Sequence, residues 1–408
     1  MLTVSAALTT VLVHAQPLAS EIVPLTPALL GAVLAEDVPS DLDMPPYDKA
    51  MMDGYAVRMA DLSEGCGELA VIEEVNAGQT PRVALSEKQA TRIMTGAPIP
   101  TGADTVVMVE RTRLADNDRV HIDDPSLQIG RNILTRGREM RRGDTVLRAG
   151  AVLRPQEFGL LATVGRTAAK VVPSPRVAVL STGDEVVEAA DTPGPNQIRN
   201  SNGPMLLAQI ARAGGLPHYL GVARDRLDSL RPLVAEGLNS DILLLSGGVS
   251  AGKLDLTPGV LEEAGVVAHF HKVEMKPGKP VLFGTRERPD GRSPTLVFGL
   301  PGNPVGAFVS FELLVRPAIR RLRGLAVNDG ALVSAVLTED FAYRTDRPTY
   351  HPARLEVGDG GWRVRAVPWF GSADLRGLLE MDALVVLPPG DHRHMAGTRL
   401  PVLRLDFC

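Results

Sequence analysis

ILLLSGGVSAGKLD, Ile242 to Asp255, decides how the chain is read. Four apolar residues, Ile242 to Leu245, run like a buried strand into a glycine loop. From Gly247 the loop reads G-x-x-x-x-G-K and then meets Leu254. The phosphate loop of nucleotide hydrolases ends in Ser or Thr, because that hydroxyl holds Mg²⁺. Leu254 has no hydroxyl, so a nucleotide hydrolase is disfavoured. Two readings stay open here. The glycines serve a tight chain reversal, or the backbone N–H groups at Gly247 and Gly248 approach phosphate oxygens while Ser246 and Ser250 add hydroxyl donors. Asp255 is placed where a carboxylate can reach a metal.

Outward from this strand the pattern alternates. RVAVL at 176–180 precedes the turn STGDE, and Asn200-Ser-Asn-Gly-Pro starts a helix that Gly214-Gly215 closes. A strand through HYLGVA leads to Asp225 and the helical pattern RLDSLRPLVAEGL. Then follow ILLLS, a helix near TPGVLEEAG, the strands PVLFG and TLVFG, and a long helix from Asn303 to about Arg323. Strands alternating with helices predict a doubly wound, mostly parallel α/β sheet. Ligands of such sheets lie beyond the C-terminal strand ends, where STGDE, SGGVSAGKLD and GLPGNP all fall.

These turns carry the candidate chemistry. KVEMKPGKP gathers Lys272, Lys276 and Lys279 around Pro277-Gly278, either a solvated face or an anion clamp. In GLPGNP, Asn303 is suited to cap a helix and Pro304 to open it, and a helix start can also receive an anion. Asp184, Glu185, Asp225 and Asp255 follow strand ends; they face solvent, cap a helix, or converge on Mg²⁺ with substrate phosphates. MMDGYAV, with Asp53-Gly54, and TGAPIPTGAD, from Thr95, read as hairpin turns.

Elsewhere the chain is β-rich. ELAVIEEV, ATRIMT, DTVVMVE and RVHID predict short strands within 41–143, and ALVSAVLTED, ARLEV, WRVRAV, ALVVLP and RLPVLRL a second β unit at 326–408. RPQEFGLLATVG predicts a short helix near 155, and Val4, Ala7, Leu8 and Val11 a first helix ended by Pro17. The 408 residues carry a net charge of −5, which gives no general attraction to nucleic acid or anionic membrane. No window approaches the roughly 18 apolar residues of a membrane span. Two distant cysteines, Cys66 and Cys408, suggest neither a disulfide framework nor a zinc site and fit a reduced cytosol.

Seven stretches, in order, carry a resemblance: MDGYAV, MTGAPIPTGAD, RNILTRGRE, STGDE, SGGVSAGKLD, KPGKP and GLPGNP. Together they resemble the molybdopterin molybdenumtransferase family, and the chain is similar to the C-terminal domain of gephyrin. The resemblance implies a cytoplasmic, multidomain subunit that forms a homodimer. It implies an α/β molybdopterin-binding domain (1–20 and 175–325) and a linking domain (21–40 and 144–174). A β-rich elongated arm (41–143) and a C-terminal β-barrel-like domain (326–408) complete it.

The implied reaction converts adenylyl-molybdopterin and molybdate to molybdenum cofactor and AMP with Mg²⁺, after a molybdopterin adenylyltransferase; a non-catalytic pterin-binding scaffold is the alternative. The implied functional positions are Asp53, Thr95, Glu185, Asp225, Asp255, Lys272, Lys276, Lys279, Pro301 and Pro304, with Glu185 and Asp255 on the metal. Three departures stand out. Lys49-Ala50-Met51 replaces Asn-Ser-Ala before the MDGYA turn, Glu139 stands where an Asp is expected, and Pro352 stands where an Arg is expected. Arg354, two residues on, is the expected substitute if this is a strand, and Ser372 matches a Gly-Ser turn.

Overall fold

The computed structural model describes residues 1–248, 256–327 and 332–405. Ser250 and Asp255 lie outside the described residues. The chain divides into two compact units, one of Met1–Val23, Pro27–Ala35 and Lys170–Cys408, the other of Pro24–Thr26 and Glu36–Ala169.

The first unit is built on a six-stranded sheet. Its spatial order is Leu216–Ala223, Arg176–Thr182, Ile242–Ser246, Thr295–Leu300, Pro280–Arg286, Val267–Lys272. The first four strands are mutually parallel. Pro280–Arg286 runs against Thr295–Leu300, and Val267–Lys272 against Pro280–Arg286. All five residues of Ile242–Ser246 are buried, as expected of a strand covered on both faces.

Alternate residues feed different cores, because successive side chains point to opposite faces. Val177, Val179, Ile242 and Leu244 pack with Ala7 and Val11 of the helix Val4–His14 and with Leu206 and Ile210 of the helix Asn202–Ala213. Ala178, Leu180, Leu243 and Leu245 pack with Leu230 and Val234 of the helix Leu227–Gly237 and with Val260 and Leu261 of the helix Thr257–Glu263. The predicted doubly wound architecture is thus what the chain adopts.

The long helix expected from Asn303 is interrupted. Pro304–Ser310 and Arg316–Leu322 are α-helical, and Phe311–Val315 between them is a π-turn. Pro317 cannot donate to the carbonyl of Leu313 four residues back, and its ring crowds that carbonyl. A wider turn accommodates it. The turn buries Glu312 against Gln209 and the guanidinium groups of Arg212 and Arg316.

The five strands Leu332–Leu337, Gly361–Ala366, Thr349–Gly358, Ala383–Leu387 and Arg399–Arg404 close a barrel. Its interior holds Ala335, Leu337, Val364, Val385 and Val402. Phe341–Thr345 and Gly390–His394, which the sequence pattern did not suggest, pair beside it.

The second unit contains a six-stranded sheet in which Gly54–Val57 lies between Thr105–Met108 and Gln89–Ile93. The turn expected at MMDGYAV is therefore mostly an inner strand; only its first residues bend. Gly54 is required there, since a Cβ would sit 1.8 Å from the Val107 carbonyl oxygen. Among the described residues no helix is long and apolar enough to cross a membrane.

Candidate functional site

The sheet topology brings four strand ends and one strand start to a single edge. Thr182, Ser246 and Leu300 close parallel strands there. Pro280 opens a strand running the other way, and Lys272, which pairs with it, ends the last strand. That reversal places the lysine turn KPGKP beside the glycine and acid turns, although it precedes its strand and they follow theirs.

A cleft of about 1100 Å³ opens at this edge. Its walls include Ser181, Thr182, Glu185, Ser246, Gly247, Lys276, Lys279, Pro301, Asn303, Pro304 and, from the segment beside the barrel, Ser372. The sequence had also singled out Lys272, Gly248, Asp225 and Arg354, and none of these lines the cleft. Arg354 is on a barrel strand as expected, but its guanidinium faces Asp382 at 3.4 Å. A different guanidinium lines the cleft, Arg347, from the turn between Phe341–Thr345 and the barrel strand Thr349–Gly358.

Arg347 was missed because it belongs to none of the motif stretches. What places it is pairing: Lys276 N–H donates to the Pro348 carbonyl at 2.9 Å, and Tyr350 N–H donates to the Lys276 carbonyl at 2.8 Å. Arg347 is chelated by its neighbour Asp346, at 2.6 and 3.0 Å. Arg199 also lines the cleft, from the strand Ile198–Arg199, and donates to the Asp191 carbonyl at 3.1 Å. The cleft thus carries Lys276, Lys279, Arg199 and Arg347 against the carboxylates Glu185 and Asp346. The local balance is positive in a chain whose net charge is −5.

Two asparagines knit the turns together, and the sequence had offered them only as a helix start. Asn202 donates from Nδ2 to Ser246 Oγ and to the Gly302 carbonyl, each at 2.7 Å. Asn200 Oδ1 accepts from the Gly203 N–H at 2.9 Å and from Ser181 Oγ at 3.2 Å, and its Nδ2 donates to Tyr219 at 2.8 Å. Tyr219 in turn donates to Glu188, and burial with that carboxylate pushes its hydroxyl up to about 12. The N-terminus of the twelve-residue helix Asn202–Ala213 therefore abuts the cleft, where its dipole favours an anion. Asn202 Oδ1 and Thr182 Oγ1, both on cleft-lining residues, are buried without a partner.

Asn303 does precede the helix it was expected to cap, but it makes no capping bond; its Nδ2 donates to Ser372 Oγ at 2.9 Å. Val305 N–H donates to the Ser372 carbonyl at 3.0 Å, so the helix start and the barrel segment are fastened together. Glycine is obligatory at two cleft positions. Gly247, with φ +94°, would bring a Cβ to 2.6 Å from the Thr182 carbonyl oxygen. Gly278, with φ +101°, would bring one to 2.7 Å from Ser310 Oγ.

The acids form a cluster of their own. Asp225 N–H donates to Asp184 Oδ1 at 3.2 Å. Burial, then the charges of Asp184 and Glu185, push the Asp225 carboxyl up. Among the described residues no three acidic, histidine or cysteine side chains are grouped to enclose a metal. Mg²⁺ does not require that, since one or two carboxylates plus substrate phosphates hold it.

In the second unit, Thr95 donates to Asp53 Oδ1 from both its backbone N–H and its hydroxyl, each at 2.7 Å. These bonds hold the Asp53 carboxyl below the usual range. Glu139 is an exposed residue of a turn whose N–H donates to the Met44 carbonyl at 2.9 Å.

Three family models match the chain in succession. They are the MoeA N-terminal region (domain I and II) over residues 2–165, a probable molybdopterin binding domain over 178–321, and the MoeA C-terminal region (domain IV) over 334–405. The molybdopterin molybdenumtransferase of Bacillus subtilis is 34% identical over 381 residues, covering 92% of this chain and 87% of that protein. That of a Nostoc species is 36% identical over 384 residues, with 92% and 87% covered. The molybdopterin biosynthesis MoeA protein of Pyrococcus horikoshii, a crystal structure, matches with a TM-score of 0.81 and 32% identity, covering 99% of each chain.

Proposed function

This chain belongs to the molybdopterin molybdenumtransferase family, and we propose from that premise that it inserts molybdenum into adenylyl-molybdopterin, using molybdate and releasing AMP. The observation that carries the reading is the meeting of strand-end turns, two lysines, two arginines and a helix N-terminus on one cleft. The substrate's diphosphate and the incoming oxyanion are its most highly charged parts, and preorganised cations and backbone dipoles stabilise charge most where water is thinned.

In this reading Lys276 and Lys279 neutralise the diphosphate, and Arg347 and Ser372 face the oxyanion. Glu185, with Asp255, would hold Mg²⁺, which would supply charge neutralisation at the phosphoanhydride. Lys272 and Asp225, at the same sheet edge, set the surrounding charge. Pro301 and Pro304 shape the turn that Asn202 holds through Gly302. Water adds as the phosphoanhydride bond breaks and AMP leaves, and the substrate's two thiols take the molybdenum while two molybdate oxygens depart as water. The metal to be inserted thus needs no cysteine or histidine of the chain. The chain works as a homodimer in the cytoplasm, with the Asp53–Thr95 pair acting through the second copy, downstream of a molybdopterin adenylyltransferase.

The test is AMP release by purified protein supplied with adenylyl-molybdopterin. The proposal expects release that requires molybdate and is suppressed by chelating Mg²⁺. Tight pterin binding without AMP release, at any molybdate concentration, would assign the chain a carrier role instead.

A further inference from the structure

Phe370 is 95% exposed, more than any other large apolar side chain among the described residues. It lines the cleft. A phenylalanine left in water forgoes the burial that such a ring ordinarily gains, and flexible chain would fold it away. Here the backbone prevents that. Phe370 N–H donates to Asp374 Oδ2 at 3.1 Å, and Gly377 N–H donates to the other oxygen of the same carboxylate at 3.1 Å. The turn is further fixed by the bonds of Ser372 to Asn303 and Val305. A rigid turn therefore presents an apolar ring at a cleft that also carries four cationic side chains.

We propose that Phe370 is a stacking platform for a planar nitrogen heterocycle of the substrate. This rests on the function proposed above and says how that substrate is selected. A cationic cleft binds any polyphosphate or oxyanion, whereas a flat apolar face adds the requirement that the ligand carry a flat ring. Aromatic rings stack in offset or edge-on geometry with a gain beyond their buried area, and such stacking tolerates any flat heterocycle. Adenylyl-molybdopterin carries two, adenine at one end and pterin at the other, with the diphosphate between them. Phe370 receives one of these rings while Lys276 and Lys279 hold the phosphates.

The test is calorimetric titration of wild-type protein, Phe370→Ala and Phe370→Trp, with AMP and with molybdopterin as separate probes. Losing a stacked base costs about fivefold to 150-fold in affinity. The proposal expects Phe370→Ala to weaken one probe by at least about fivefold, with little dependence on salt, and Phe370→Trp to retain it. The probe affected identifies the ring. Affinities for both probes within twofold of wild type in Phe370→Ala would overturn the proposal. So would a change in association state with both affinities intact, which would make the ring a contact between copies. Wild-type protein that binds neither probe would sink the proposed function and this inference together, so the two failures are distinct.

Discussion

Asn202→Ala removes the side chain that ties three parts of the cleft. Its Nδ2 makes two bonds of 2.7 Å, one to Ser246 Oγ at the end of the central strand and one to the Gly302 carbonyl in the turn before the helix Pro304–Ser310. Asn202 and Ser246 are both buried, at 8% and 4% exposure, so water does not simply replace the amide. Each hydrogen bond is worth about 1 kcal/mol net, and a buried group left unpaired costs about 1–3 kcal/mol. The partnerless Asn202 Oδ1 already carries such a penalty, and its removal offsets part of the loss. The expected destabilisation is about 2–3 kcal/mol, read by urea unfolding. Activity should fall further than stability requires, because Gly302 sits between Pro301 and Asn303 and slackening it shifts the phosphate-facing turn. Displacement of a positioning group by about 1 Å can cost about a hundredfold in rate. AMP release should therefore fall at least tenfold under conditions where the variant is fully folded, as judged by circular dichroism. A loss below about 0.5 kcal/mol with unchanged AMP release would refute the view that this amide organises the cleft.

Three further outcomes follow from other residues. Gly278→Ala puts a Cβ 2.7 Å from Ser310 Oγ at a φ of +101°, and backbone strain plus overpacking should cost about 2–4 kcal/mol, with a raised KM because Lys276 and Lys279 flank the distorted turn. Glu312→Ala leaves Arg212 and Arg316 facing a site that has lost its buried carboxylate, and urea unfolding should show a loss of about 3–5 kcal/mol. Asp225 has its carboxyl pushed up by burial and by Asp184 and Glu185, so the folded state binds its proton more tightly than the unfolded state. The resulting stabilisation is present below the ordinary carboxylate pKa and is lost as pH rises through the elevated one. Asp225→Asn should accordingly be more stable than wild type near pH 8. That advantage should vanish as the pH approaches about 4, and it should shrink when Mg²⁺ is added near pH 8.

Much of the α/β unit was legible because its signals are local. ILLLS is bounded by a charged residue and a glycine, and it forms the strand Ile242–Ser246. The five predicted barrel segments each overlap a barrel strand, although ARLEV covers only the second half of Thr349–Gly358. Gly54–Val57 was hidden by Asp53-Gly54, a dipeptide that favours turns, and it is sheet because pairing on both sides overrides that preference. The π-turn was missed although Pro317 lacks the N–H that an ordinary helix needs there; the burial of Glu312 against Gln209 and Arg212 is a contact between distant segments with no local signature.

In the site, motif residues were visible and their organisers were not. Lys276, Lys279 and Glu185 stand in recognisable turns. Asn202 reads as a helix start, and the bonds it donates to residues 44 and 100 positions away have no local signature. Arg347 reaches the cleft through the pairing of residues 348–350 with Lys276, a contact between distant segments. Arg354 was an attractive substitute for the missing arginine by position alone, but the register Arg354↔Arg365 sets it on the barrel strand facing Asp382.

The most direct measurement is a crystal structure of the protein soaked with adenylyl-molybdopterin. The account predicts the diphosphate in the cleft, within hydrogen-bonding distance of Lys276 and Lys279 and close to the N-terminus of the helix Asn202–Ala213. A diphosphate bound elsewhere, with those lysines still facing solvent, would contradict it.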